Sequence, residues 1–543
     1  VETELKRAMA RNPHLKTYLN EFGKKNGSFP RFLPQLSGDL KNEDYINILI
    51  PVGDPIFIHL YGSNQLKTVK YYAIEPKLNG KEKKKYQDVL DAILERSAEE
   101  EIPDTEAKLR VMIFKLLREV CEVSNEESKS SGPLQKGLDK IPVTPLEYDK
   151  IQYYLERNIL GAGPIEPLIR DPYIEDVHCI GYQNIYIVHK IFDMLETNIR
   201  FESEGELDNW MRSMSERIGR PVSESRPIAD GALPDGSRIN IIYSTDVSRK
   251  GPSFTMRKFS ATPISITQLI KWGSINEEIA AYLWLCLENN MSIFFSGETA
   301  SGKTTMLNAC LPFINPKAKI YSAEDTAEVQ PPHPVWQQLI TREEGPPESR
   351  VDLFTLLKAA LRSRPNYIIV GEIRGVEGAV AFQAMQTGHP VIATFHASTV
   401  KKMIQRLTGE PIKVPVTFID NLNVAMILQA VYRNGKFLRR CVAVEEIEGY
   451  YEDIGGVVTR AVFQWDPAND KHEFRGYNNS YILEEKIAKI QGYSDPREIY
   501  NDLFLRAKIL RTMVENDIIE YHRVNKIIFD FAVGGVDSLP FLV

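Results

Sequence analysis

Short runs rich in β-branched and aromatic residues alternate along this chain with longer stretches whose apolar positions repeat at helical spacing, a pattern that predicts mixed α/β structure. In the N-terminal third, 46–52, 55–61 and 69–74 read as strands, and 83–94 and 106–121 as helices. The polar Gly/Ser/Pro stretch 124–140 then reads as a linker. It predicts an α+β region over 1–123, a connection over 124–144 and a new domain from 145. A helix over 146–157, a turn through Gly161-Ala162-Gly163-Pro164, strands at 175–180 and 185–189 and a helix near 206–218 make 145–258 a small α/β domain. Within it, the turn Leu233-Pro234-Asp235-Gly236-Ser237 delivers Arg238 to a strand, and Arg257 ends the run Ser253-Phe254-Thr255-Met256. Taken alone, each arginine has the standing of a surface ion-pair partner.

Beyond a connection and a helix over 260–290, the β-prone run Ser292 to Phe295 leads into Gly297-Glu298-Thr299-Ala300-Ser301-Gly302-Lys303-Thr304. This satisfies G-x-x-x-x-G-K-[ST] in the strand-then-helix context a phosphate loop needs. Glycines let backbone N–H groups close around phosphates, and the helix predicted from Lys303 to Cys310 aims its positive end at them. The expected nucleotide-binding residues run from Gly297 through Thr304 and Thr305, with Lys303 on the β- and γ-phosphates and Thr304 on magnesium. Strand 319–323 ends in Glu324-Asp325-Thr326-Ala327-Glu328, and strand 367–370 in Gly371-Glu372-Ile373-Arg374-Gly375. Helices at 351–362 and 376–387 intervene, and strand 391–394 leads to Phe395-His396-Ala397-Ser398. Acids and a histidine beyond strand ends sit over the crevice where doubly wound sheets bind ligands, which predicts one shared site. Glu372 as a helix-capping acid and His396 as a satisfied core histidine are the structural alternatives.

The composition adds limits. A chain of 543 residues with 43% hydrophobic content can hold several cored domains. No apolar stretch approaches the length of a membrane span and the N-terminus lacks a signal-peptide core, so a cytoplasmic protein is expected. Cys121, Cys179, Cys286, Cys310 and Cys441 form no C-x-x-C pair and read as buried thiols. A net charge of -7 argues against a general nucleic-acid binder. Residues 1–35 are locally basic, and read either as a docking surface for anionic lipid or an acidic partner or as a solvated helical face. Residues 409–543, with a heptad-like run at Leu503, Ala507, Leu510 and Val514, read as accessory helical packing that continues the nucleotide-binding domain.

The phosphate loop, Glu324-Asp325-Thr326-Ala327-Glu328, Gly371-Glu372-Ile373-Arg374-Gly375 and Thr387-Gly388-His389 with Thr394-Phe395-His396 together resemble the Walker A, Asp box, Walker B and His box of the type II/type IV secretion ATPase superfamily. Ile159-Leu160-Gly161-Ala162-Gly163-Pro164-Ile165-Glu166-Pro167-Leu168 resembles that family's second N-terminal domain. Arg11-Asn12-Pro13-His14-Leu15, Pro51 to His59 and Phe463-Gln464-Trp465-Asp466-Pro467 resemble its archaeal branch, most of all the ATPase that assembles and rotates the archaellum. Two departures stand out: Asn366 replaces the acid common before the Walker B strand, and the His box continues Ala397-Ser398 in place of Thr-Asn. The tetracysteine zinc element of many bacterial relatives is absent.

The resemblance implies a RecA-like core over 259–408 in a homo-hexameric ring, with ATP and Mg2+ bound at domain and subunit boundaries. Arg238 and Arg257 would approach the phosphates, Glu324 or Glu328 would orient water, Glu372 would poise the magnesium network and His396 would sense the γ-phosphate. The implied partners are a polytopic membrane platform protein and the RecA-like regulatory subunit of the archaellum motor, met at the inner face of the cytoplasmic membrane. An archaeal pilus or secretion ATPase, a nucleic-acid translocase and a nucleotide-binding assembly factor without turnover are the competing readings.

Overall fold

A computed structural model describes residues 2–36, 40–41, 43–101, 103–124, 140–259, 262–342, 346–433 and 436–543. Two compact units result, Val1–Phe259 and Ser260–Val543. Among the described residues no helix is long and apolar enough to cross a membrane.

The first unit is built on strands β1 (Arg31–Phe32), β2 (Tyr45–Pro51), β3 (Phe57–Ser63), β4 (Lys70–Ile74), β5 (Cys121–Val123), β6 (Ile141–Val143), β7 (Ile174–Ile180), β8 (Ile185–His189), β9 (Asp193–Thr197), β10 (Ile228–Ala232), β11 (Arg238–Ile242) and β12 (Ser253–Arg257). Ten of them form one sheet in the order β1-β2-β3-β4-β9-β8-β7-β12-β11-β10. β4 and β9 pair in parallel through Lys70–Glu196 and Tyr71–Thr197, so the sheets expected in two separate domains are one. The boundary expected at 124–144 therefore falls inside a compact unit. Most of that linker, 125–139, lies outside the described residues; its flanks β5 and β6 pair in parallel.

Helices Glu2–Arg11 and Pro13–Asn26 cover one face of this sheet. Leu15 and Leu19 are buried with Phe32, Leu49, Phe57 and Ile74, while alternate residues Ile46, Ile48, Ile50 and Ile58 enter the core on the opposite face. Burial on both faces explains why β2 and β3 read as nearly unbroken apolar runs. The stretches 11–15 and 51–59 meet here. Arg11 pairs with Asp54 at 3.1 Å, His14 Nε2 lies 2.8 Å from the Pro55 carbonyl, and the Tyr18 hydroxyl lies 2.7 Å from His59 Nδ1.

In the second unit, β13 (Ile293–Gly297), β14 (Ile320–Glu324), β15 (Trp336–Ile340), β16 (Tyr367–Ile373), β17 (Val391–Phe395), β18 (Val424–Arg433), β19 (Lys436–Tyr451), β20 (Gly456–Asp466) and β21 (Lys471–Phe474) form one sheet. Their order is β15-β14-β16-β17-β13-β18-β19-β20-β21. The run from β15 to β18 is parallel and the rest antiparallel. Along β13, Ile293 and Phe295 face helices Glu277–Glu288, Lys303–Cys310 and Ile499–Glu515, and Phe294 faces helices Leu353–Ser363, Glu377–Gln386 and Val400–Thr408. The helical expectation for 409–543 is corrected in one respect: four strands, β18 to β21, extend the sheet. Leu503, Ala507 and Leu510 belong to the same core as the phosphate-loop strand. The stretch 463–467 is also structural: Phe463 stacks on Phe474 at 4.5 Å, and Trp465 Nε1 donates to Asp470 at 2.9 Å.

Candidate functional site

The phosphate loop leaves β13 at Gly297, where a Cβ would lie 2.3 Å from the Leu428 carbonyl oxygen and 2.5 Å from Ser301 Oγ, so no side chain fits. Gly302, at φ 89°, opens helix Lys303–Cys310 without a side-chain cap, which leaves the first-turn N–H groups facing the loop. Lys303 Nζ folds over the loop and donates to the carbonyls of Gly297 at 3.1 Å and Glu298 at 3.0 Å. Glu298, Thr299 and Ala300 are exposed, Ser301 is buried, and Thr304 and Thr305 are half-buried. A loop cradling an anion with N–H groups and one cation has this form.

The other motifs reach the same carboxyl edge of the sheet and are laced to one another. Ser296 Oγ, at the end of β13, donates to the Ala397 carbonyl at 2.8 Å, next to half-buried His396. Thr394 Oγ1 on β17 donates to the Gly371 carbonyl at 2.5 Å, next to Glu372 on β16. Gly371 in turn packs on Glu324 of β14 so closely that a Cβ would approach Glu324 Cγ to 3.2 Å. Asn308 closes the ring from the phosphate-loop helix. Its Nδ2 donates to the Glu328 carbonyl at 2.8 Å, and its Oδ1 accepts from Gln330 N at 2.9 Å.

This lacing separates the two Asp-box acids. Glu324 is fully buried; one carboxylate oxygen accepts from the N–H groups of Glu328 at 2.8 Å and Val329 at 2.7 Å, the other from Gln338 Nε2 at 3.1 Å. Burial pushes its pKa up to about 7, against the opposing pull of those hydrogen bonds. Glu328 is half-buried, with its backbone held from both sides. Glu372 forms an ion pair with Arg374 at 2.6 Å. Among the described residues no side chain caps helix Glu377–Gln386, Glu372 included; Glu377 Oε1 instead holds the turn before it, accepting from the N–H groups of Arg374 and Gly375, both at 2.6 Å. The backbone carbonyl of His396 accepts from Arg406, whose guanidinium lies 5.3 Å from the Phe395 ring centroid.

Arg238 and Arg257 lie in the first unit and are direct partners across β11 and β12. The turn before Arg238 is held by Asp235, which accepts from Ser237 N at 3.0 Å and Ser237 Oγ at 2.8 Å, with Gly236 at φ 88°. Arg238 makes a surface ion pair with Asp230, two bonds of 3.1 and 2.6 Å. Sequence reasoning missed Asn308 and Gln338, and named Thr394 only as part of the His-box motif. Asn308 carried a signal, a lone amide in the apolar run Met306 to Cys310.

A phosphate loop on a parallel strand, with acids at neighbouring strand ends, defines a P-loop nucleotide-binding protein. The model of the type II/IV secretion system protein family matches residues 158–433, and the chain belongs to that family of ATPases. It is 59% identical to the uncharacterised protein MJ0900 of Methanocaldococcus jannaschii, over 99% of this chain and 98% of that one. It is 32% identical to the probable conjugal transfer protein TrbB of Sinorhizobium fredii, over 42% of this chain and 72% of the relative. Among solved structures, the Legionella pneumophila ATPase DotB aligns with 75% of this chain and 99% of its own at 16% identity and a TM-score of 0.39.

Proposed function

We propose that this chain is a magnesium-dependent ATPase, working as a homo-hexameric ring, that drives assembly and rotation of an archaeal type IV pilus-like filament, the archaellum. The observation that carries the ATPase reading is the hydrogen-bonded lacing of four strand ends around one phosphate loop. Glu328 is the water-orienting acid in this reading, because both Glu324 carboxylate oxygens are already engaged, one with the N–H groups of the loop that carries Glu328 and the other with Gln338 of β15. Lys303 would leave the loop carbonyls for the β- and γ-phosphates, and Arg238 and Arg257 would supply positive charge to the transition state. Thr304, and Glu372 through water, would hold Mg2+ as a hard, sparse oxygen donor set, and the ion would neutralise phosphate charge. His396, at the end of the strand beside β13, would sense the γ-phosphate.

In this reading the hexamer meets a polytopic platform protein and a RecA-like regulatory subunit at the inner face of the membrane. The sequence stretches 11–15, 51–59 and 463–467 support the archaellum over other filaments. The conjugal-transfer relative supports a second reading, a pilus or secretion ATPase. Hydrolysis by the purified full chain tests the chemistry: Glu328→Gln should lower kcat by two to four orders of magnitude, and Glu324→Gln far less. Equal loss in both would reject the division of roles. Deletion of the gene in the source organism tests the filament. Lost swimming with pili intact supports the archaellum, whereas lost pili with swimming intact supports the second reading, and stimulation of hydrolysis by nucleic acid would favour a translocase.

A further inference from the structure

A cation that none of the recognised motifs contains reaches the phosphate loop from the antiparallel half of the sheet. Arg439 Nε donates to the carbonyl of Ala300 at 2.9 Å, and the Arg439 side chain packs on the loop so closely that a Cβ on Gly302 would lie 3.2 Å from its Cδ. Ala300 has φ 62°, the left-handed region that is unfavourable for any residue with a Cβ. The hydrogen bond therefore falls on the strained peptide of the loop, and it is charge-assisted.

The sheet explains how Arg439 comes to be there. Register between β18 and β19 shifts at Leu428, where Ile427 pairs with Ala443 but Leu428 with Cys441. A bulge of this kind re-aims the side chains that follow it. Successive side chains on a strand point to opposite faces, and here Arg440 takes the inner one, buried and bonded to Asp470 at 2.8 and 3.0 Å and to the Trp272 carbonyl at 3.2 Å. Arg440 thus anchors the strand and Arg439, exposed, is presented to the loop. The Arg439 guanidinium also lies 5.3 Å from the Phe437 ring centroid, which limits its rotamers.

We propose that Arg439 is a positioning residue for the nucleotide: by bonding the Ala300 carbonyl it holds the phosphate loop in its binding-competent, left-handed conformation before the nucleotide arrives. This rests on the reading of 297–304 as an ATP site. A site whose competent state is only partly populated binds more weakly by that fraction, so losing the bond should weaken binding more than it slows the bound complex.

The test is a double-mutant cycle on the full chain, read by titration with a fluorescent ADP analogue in Mg2+ and by steady-state hydrolysis. Arg439→Ala should weaken analogue binding about tenfold and raise KM similarly, with kcat changed less than threefold and the unfolding midpoint unmoved. In an Ala300→Gly background, where glycine accepts the left-handed conformation at no steric cost, Arg439→Ala should weaken binding less than threefold. Equal losses in both backgrounds would overturn the proposal, because Arg439 would then act on the nucleotide directly. Unchanged binding in Arg439→Ala would overturn it as well. Lys303→Ala is the control for the underlying reading: if it binds the analogue as the parent does, the ATP site itself is misplaced, whatever Arg439 does.

Discussion

Replacing Glu324 with Gln should stabilise the second unit by an amount that grows with pH. The carboxyl is fully buried and titrates near 7 in the folded chain, against an ordinary value of 4.5. The unfolded chain releases its proton near the ordinary value and the folded chain near 7, so between those values the folded state binds more protons and its stability falls as pH rises. The contribution is complete below pH 4.5 and gone above pH 7. A gap of about 2.5 pH units corresponds to about 3 kcal/mol, of which about 2.5 kcal/mol falls between pH 5 and pH 8. Glutamine is neutral throughout. Its carbonyl can still accept from the N–H groups of Glu328 and Val329, and Gln338 can rotate its amide to receive the new NH2 group. Any fixed cost of the substitution cancels when the two pH values are compared. At roughly 2 °C per kcal/mol for a unit of this size, the difference in unfolding midpoint between variant and parent should increase by about 5 °C from pH 5 to pH 8, measured by thermal unfolding in low-salt buffer. A difference independent of pH would refute the reasoning, because it would mean that the folded chain holds Glu324 ionised over the whole range.

Lys303→Ala should abolish hydrolysis while leaving the unfolding midpoint within about 2 °C, since the half-buried Lys303 gives its Nζ to carbonyls of its own loop, those of Gly297 and Glu298; turnover like the parent's would remove the phosphate-loop assignment. Arg238→Ala and Arg257→Ala should each lower kcat far more than they raise KM, as expected of groups acting mainly on the transition state, and rates equal to the parent's would reduce Arg238 to the surface partner of Asp230. The basic N-terminal region is best tested without truncation, because removing Leu15 and Leu19 would uncover Leu49 and Phe57. Charge reversal of exposed Lys16, Lys24 and Lys25 to Glu should instead leave hydrolysis intact and weaken co-sedimentation with anionic vesicles at low salt; binding that does not change would end the docking proposal.

The amino-acid sequence by itself determined the local elements of the nucleotide core. The helix predicted over Lys303–Cys310 matches to the residue, and the strands before the phosphate loop, the Asp box and the His box lie within two residues of their expected bounds. Strand signals are strong where both faces of a strand are buried, as along Ile293 to Phe295, and phosphate chemistry restricts the loop to few residue types. What the chain could not announce is pairing between distant segments. Lys70 and Tyr71 join Glu196 and Thr197 in one sheet across a polar stretch that reads as a linker, and nothing local to either strand encodes the other. Of the four strands from 424 to 474, the first opens on a buried apolar run, Val424 to Leu428, but the next carries charged residues such as Arg439, Arg440, Glu445 and Glu446, so the apolar signal of this half of the sheet is broken. Which Asp-box acid is tied down was likewise undecided by spacing. Only the tertiary structure closed Glu328 N, Val329 N and Gln338 around Glu324, because burial and hydrogen-bond geometry are properties of the assembled strand ends and not of the five residues that carry the motif.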